Sequence, residues 1–169
     1  MALEVDVEFK KLIYDTYLAH KLSYCLQCNV CTEHCPASQV NPEYDPRQLI
    51  LGSLMGLKNL LVAAGPVALY SCMVCETCDE KCPNEIPLTH IFSVLKNISA
   101  TLGVTPDAYK GQAKTLHEFA SSVPILDAMI RRRTGLGLPE KYDLPVDELQ
   151  QIMDATGFSS LVKKLNPEE

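Results

Sequence analysis

The chain has 169 residues and 47% apolar content, enough for one packed domain with extensions. Its formal net charge of −6 excludes the broad basic surface that neutralising nucleic-acid phosphates would require. The longest apolar run, residues 60–70, is broken by Gly65-Pro66 and is too short to cross a bilayer, so no membrane span is expected.

The first element is a helix over residues 6–20. Asp6 can cap it, Glu8 suits its positive end, and Phe9, Leu12, Ile13 and Tyr17 recur at helical spacing. It delivers the chain to Cys25-Leu-Gln-Cys28-Asn-Val-Cys31-Thr-Glu-His-Cys35-Pro36. A second run of the same form follows, Cys72-Met-Val-Cys75-Glu-Thr-Cys78-Asp-Glu-Lys-Cys82-Pro83. Between them the sequence reads helical. Asp45-Pro46-Arg47-Gln48 is a helix start, Leu49, Ile50, Leu54, Leu57, Leu60 and Leu61 form an apolar stripe, and Gly65-Pro66 is the expected stop. Gly52 and Gly56 inside this stretch suggest a close packing approach.

After the second run, Ile86-Pro87 leads into a helix with Ile91, Val94, Leu95 and Ile98 on one face, ending near Gly103. Thr105-Pro106-Asp107 starts another, reaching about Ser121. A segment from Pro124 closes with Arg131, Arg132 and Arg133, which suit a helix C-terminus facing water or a docking patch for an acidic partner. The Gly- and Pro-punctuated stretch 135–145 reads as a connector. Asp143 and Pro145 then begin a helix with Val146, Leu149, Ile152 and Met153, stopped at Gly157, and Phe158, Leu161, Val162 and Leu165 repeat the spacing. Strand alternation is almost absent, so the expected fold class is all-α. The expected division is residues 1–103 for the cysteine-bearing domain and 104–169 for a helical extension that docks on a partner or folds back.

Both cysteine runs have the form C-x2-C-x2-C-x3-C-P and together use all eight cysteines. This is the bacterial ferredoxin spacing, in which three close thiolates hold a [4Fe–4S] cube and the distant cysteine of the other run closes it. The expected cofactors are therefore two [4Fe–4S] clusters. One would be held by Cys25, Cys28, Cys31 and Cys82, the other by Cys72, Cys75, Cys78 and Cys35. Disulfide frameworks belong mostly to short secreted chains, and the acidic N-terminus Met1-Ala-Leu-Glu-Val-Asp-Val-Glu has no apolar export stretch. Zinc requires neither the third close cysteine nor the closing proline. A reducing, cytoplasmic location follows as an expectation.

With every cysteine assigned, neither cluster would offer an open iron, which favours electron transfer over chemistry at the metal. There is no Gly-rich nucleotide fingerprint and no G-x-S-x-G, and no catalytic residue is assigned. Leu26, Val30, Met73 and Val74 lie inside the runs, where they would limit water around the clusters. Glu33 and Glu80 hold equivalent places and read as surface charges or as tuning groups. His20, His34, His90 and His117 read as packed or exposed residues. The length after the second run favours a protein that packs on something over a free carrier.

The two runs joined by a helical arm resemble the α-helical ferredoxin module of succinate dehydrogenase and fumarate reductase iron–sulfur subunits. Those subunits also carry a plant-type [2Fe–2S] domain, for which no cysteine remains. With its N-terminal helix and helical tail, the chain resembles the C subunits of the soluble heterodisulfide reductases of methanogens. The specific part of the likeness is residues 25–36 and 72–83. The resemblance implies electron relay from a flavin-bearing iron–sulfur partner, the A subunit, to a cysteine-rich catalytic partner, the B subunit. The latter reduces the mixed disulfide of coenzymes M and B. The resemblance also implies hydrogenase or formate dehydrogenase in the larger complex. Related modules serve lactate, glycerol phosphate and sulfur-compound redox systems, so the acceptor stays open at this level.

Overall fold

The structure, a computed structural model, describes residues 4–59, 61, 66–140 and 144–167. All regular structure among the described residues is helical, as the sequence predicts, and the fold is an α-helical ferredoxin with a helical extension. The chain divides into two compact units, Met1–Val104 and Thr105–Glu169.

In the first unit, α1 (Val7–Tyr14) is capped by Asp6, whose carboxylate accepts the Phe9 N–H at 2.8 Å. It ends well short of residue 20. Leu18 takes a left-handed conformation, and a 3₁₀ helix, Ala19–Tyr24, carries the chain to Cys25. Phe9 and Ile13 are buried, whereas Leu12 and Tyr17 face outward. Two short helices, α2 (Val30–Glu33) and α3 (Pro36–Val40), follow within and after the first run.

The connector helix α4 (Pro46–Met55) starts where expected. Asp45 accepts the Gln48 N–H at 3.2 Å and the Thr32 hydroxyl at 2.6 Å, tying the helix start to the first cysteine run. The stop differs from the expected one, and its cause is local. Gly56 lies at φ +71°, and its carbonyl accepts the Asp6 N–H at 2.9 Å. A Cβ there would stand 2.6 Å from the Asp6 carbonyl oxygen and 3.0 Å from Lys10 Cβ. Gly56 therefore ends the helix and lets α1 approach; Leu60 and Gly65 of the expected stripe and stop lie outside the described residues.

α5 (Pro66–Tyr70) leads into the second run, which contains α6 (Thr77–Lys81), and α7 (Leu88–Thr101) closes the unit. α7 packs against α1, α5 and α6, and Ile91, Phe92 and Leu95 are buried on it. Each such side chain contributes about 1.5–3 kcal/mol when taken out of water. The core they share includes Ile13, Leu22, Tyr44, Ile50, Leu69 and Ile86.

The second unit contains α8 (Asp107–Phe119), α9 (Asp127–Gly135), α10 (Val146–Ala155) and α11 (Phe158–Leu165). α10 and α11 pack on each other and on α8. Val162 and Leu165 are buried, the His117 ring lies 3.1 Å from the Ser159 hydroxyl, and the Gln150 amide donates to the His117 carbonyl at 3.2 Å. The tail thus finds cover on α8 within its own unit, a neighbour that its apolar spacing does not identify. Ile152, expected on the apolar face, is exposed, and Asp143 lies outside the described residues. α9 buries no residue; Arg131 and Arg132 are exposed, and the Arg133 guanidinium donates to the Pro139 carbonyl at 2.7 Å.

Candidate functional site

Both cysteine runs wind in the same way. The residue before the second cysteine and the residue after it are left-handed in each: Gln27 (φ 54°) and Asn29 (φ 71°), Val74 (φ 56°) and Glu76 (φ 61°). Such a conformation is uncommon outside glycine and disfavoured for a β-branched residue such as Val74. The repeated reversals make a tight coil from which the first three cysteines of a run can face inward. Each coil runs into a helical turn, α2 or α6, and these two turns pack against each other.

That packing brings cysteines of different runs together. Cys25, Cys28, Cys31 and Cys82 line one cavity, walled on its apolar side by Ile50 and Ile86. Arg47 reaches the same cavity from the first turn of α4. The Ile86 N–H donates to the Cys82 sulfur at 3.5 Å, and the Gln27 amide donates to the Cys25 sulfur at 3.2 Å. Burial pushes the Cys31 thiol up to about 11, with the Cys25 charge adding to the effect.

The second group lies around Tyr44, which is fully buried and meets Phe92 edge-on at 6.4 Å between ring centroids. Burial raises its phenol far above the ordinary range, and charge on Cys72, Cys35 and Cys78 raises it further. Three of the four cysteines expected around the second cluster therefore act on one phenol, Cys35 among them. Burial also pushes the Cys78 thiol up to about 12. Its sulfur lies 3.7 Å from the Thr89 hydroxyl and 3.5 Å from Asp79, whose carboxylate accepts the Thr89 N–H at 2.9 Å. Cys75 is exposed, and the Thr77 hydroxyl beside it holds its thiol below the ordinary value. The Lys96 ammonium, its pKa lowered by burial, donates to the Cys72 carbonyl at 2.7 Å.

The arrangement fits a group of several atoms. Among the described residues, no three His, Cys, Asp or Glu side chains converge closely enough to hold a single metal ion. In the first site three thiols of one run and one of the other line a single cavity, the donor set of a [4Fe–4S] cube. Thiols bind iron as thiolates, so filling either site would release protons.

Some expected roles change. Met73 and Val74 are exposed; Leu26, though largely exposed, and the half-buried Val30 both line the first cavity. Glu33, Glu80, His20, His34 and His90 face water, and His117 is a packing residue of the second unit. Gln27, Tyr44, Arg47, Asp79, Thr89 and Lys96 join the sites without having been marked by the cysteine spacing. Gln27 and Asp79 could have been found by aligning the two runs, where Val74 and Thr32 stand in their places. Tyr44 and Lys96 carry no such local signal.

Residues 21–86 match the family described as 4Fe-4S dicluster domain. Over nearly its whole length the chain is similar to proteins of methanogens. The C subunit of the H(2):CoB-CoM heterodisulfide,ferredoxin reductase of Methanothermobacter thermautotrophicus is 32% identical over 94% of this chain and 86% of that protein. An iron–sulfur C subunit of the CoB–CoM heterodisulfide reductase of Methanocaldococcus jannaschii is 30% identical over 92% and 85%. A protein of Archaeoglobus profundus, named for its likeness to the heterodisulfide reductase C subunit, is 28% identical over 85% and 77%.

Proposed function

The chain belongs to the family of heterodisulfide reductase C subunits, and from that premise we propose that it relays electrons within such a complex in methanogenesis. Family membership makes the chain an iron–sulfur electron-transfer subunit. The finer reading is a relay from a flavin-bearing partner to a catalytic, cysteine-rich partner, which reduces the CoM–S–S–CoB heterodisulfide in the cytoplasm. Hydrogenase or formate dehydrogenase would supply electrons to the flavin-bearing partner, in keeping with the names of relatives that act with H2 or with H2 and formate.

The observation that carries this reading is the mixed origin of the thiols around the first cavity, three from one run and Cys82 from the other. It supports a first cluster on Cys25, Cys28, Cys31 and Cys82, and a second on Cys72, Cys75, Cys78 and Cys35. When bound, such clusters supply reversible one-electron chemistry. The chain's own work is to hold them. Ile50 and Ile86 keep water from one side of the first site, Tyr44 and Phe92 pack beside the second, and α2 against α6 fixes the distance between them. With all eight cysteines committed, no ligand position is left for a substrate.

The test is reconstitution from separately prepared components. The flavin-bearing and disulfide-reducing partners should consume heterodisulfide at a rate that depends on added full-length chain. The chain alone, reduced, should leave the disulfide intact. Turnover by the two partners at an equal rate without it would contradict the relay.

A further inference from the structure

Gln27 is held in an arrangement that its own stability does not explain. Its backbone is left-handed at φ 54°, and its amide Oε1 is buried with no hydrogen-bond partner among the described residues. Its amide nitrogen is directed at the Cys25 sulfur, 3.2 Å away, at the lip of the first cavity. Reversing the amide would set an oxygen against that sulfur, so the hydrogen bond fixes which atom is left without a partner. A buried carbonyl oxygen without a donor is costly, and such groups in native proteins mark a site where something else is gained. The second run offers an internal comparison. Val74 occupies the equivalent place at nearly the same φ, 56°, and has no donor to offer.

We infer that Gln27 is a potential-setting residue: its amide N–H bonds to the Cys25 sulfur and raises the reduction potential of the cluster held in the first cavity. The inference rests on the cluster reading proposed above. Reduction adds an electron whose charge is shared with the sulfur ligands, so a donor at a ligand sulfur stabilises the reduced form more than the oxidised one. Because Val74 supplies no such bond, two clusters with the same cysteine spacing are made unequal by this position. Gln27 touches a ligand and leaves the reacting electrons to the cluster; its role is to position a dipole.

The experiment is an anaerobic redox titration of the cluster-loaded full-length protein, followed by electron paramagnetic resonance. Cys28→Ser and Cys75→Ser assign each signal to its site. Gln27→Leu removes the donor at similar size, and Gln27→Glu replaces it with a negative charge. The midpoint of the first-site cluster should fall in the order Gln, Leu, Glu, while the second-site cluster stays unchanged. Unchanged midpoints, or an equal shift of both clusters, would overturn the inference. If neither variant retains the first cluster, the unsubstituted protein decides. With glutamine side chains enriched in ¹⁵N, electron–nuclear double resonance should find one weakly coupled amide nitrogen on the first-site signal; none there overturns the inference. Iron content tells the two readings apart, since protein that takes up no iron–sulfur cluster refutes the cofactor and leaves nothing for Gln27 to tune.

Discussion

Cys35 separates two ways of wiring the same eight thiols. It follows Cys31 by one short turn, yet with Cys72 and Cys78 it acts on the buried Tyr44 phenol. Cys82, its counterpart, lines the cavity of Cys25, Cys28 and Cys31. Cys35→Ser should therefore weaken or abolish the signal of the second-site cluster and leave the first near its native form. Cys82→Ser should do the reverse, and resonance spectra of the two reduced variants check it. Spectra in which each substitution damaged the cluster of its own run would contradict the crossing. The proposed ligands are legible in the sequence because their spacing is local and ferredoxin chemistry fixes it. The residues that contact the sulfurs from elsewhere are not. Thr89 and Tyr44 reach them through packing of α7 and the connector, which no short window of sequence contains.

Helix starts are easier to read than helix stops. Asp6 and Asp45 announce α1 and α4 through a side chain that bonds a backbone N–H three residues on. The stops depend on neighbours. α4 ends at Gly56 because α1 lies against it, although the apolar spacing runs on past that point. Gly56→Ala forces a Cβ against the Asp6 carbonyl oxygen in a left-handed conformation. It should destabilise the protein by about 1–3 kcal/mol. A lower guanidinium midpoint, followed by both circular dichroism and cluster absorbance, would register this; an unchanged midpoint would show that α1 can move away at no cost.

Over the whole molecule, the apolar spacing of residues 146–165 announces two helices and leaves their neighbour undetermined. α8 offers a mixed face on which Ala113, Leu116 and His117 are half-buried, too weak a pattern to mark it as the seat of α10 and α11. The consequence is that a truncation has a right place. Cutting at Tyr142 strips α8 of both helices and should give a protein prone to aggregate. Ending the chain at Val104 removes the second unit entire, and the shortened protein should keep both clusters. We propose that the extension docks on a partner, so the shortened protein should also lose stable association with its partners. Size-exclusion chromatography with the flavin-bearing and disulfide-reducing partners checks both outcomes. Clusters lost from the shortened protein, or binding retained by it, would contradict that role.

Electron relay of any kind requires that the two sites be filled by cubes, and one measurement addresses that directly. Full-length protein, prepared without oxygen, is analysed for iron, acid-labile sulfide and zinc, and its reduced form is examined by electron paramagnetic resonance. About eight irons and about eight sulfides per chain are expected, with two magnetically interacting clusters in the reduced spectrum. About two zinc ions per chain and no sulfide would contradict the relay at its root.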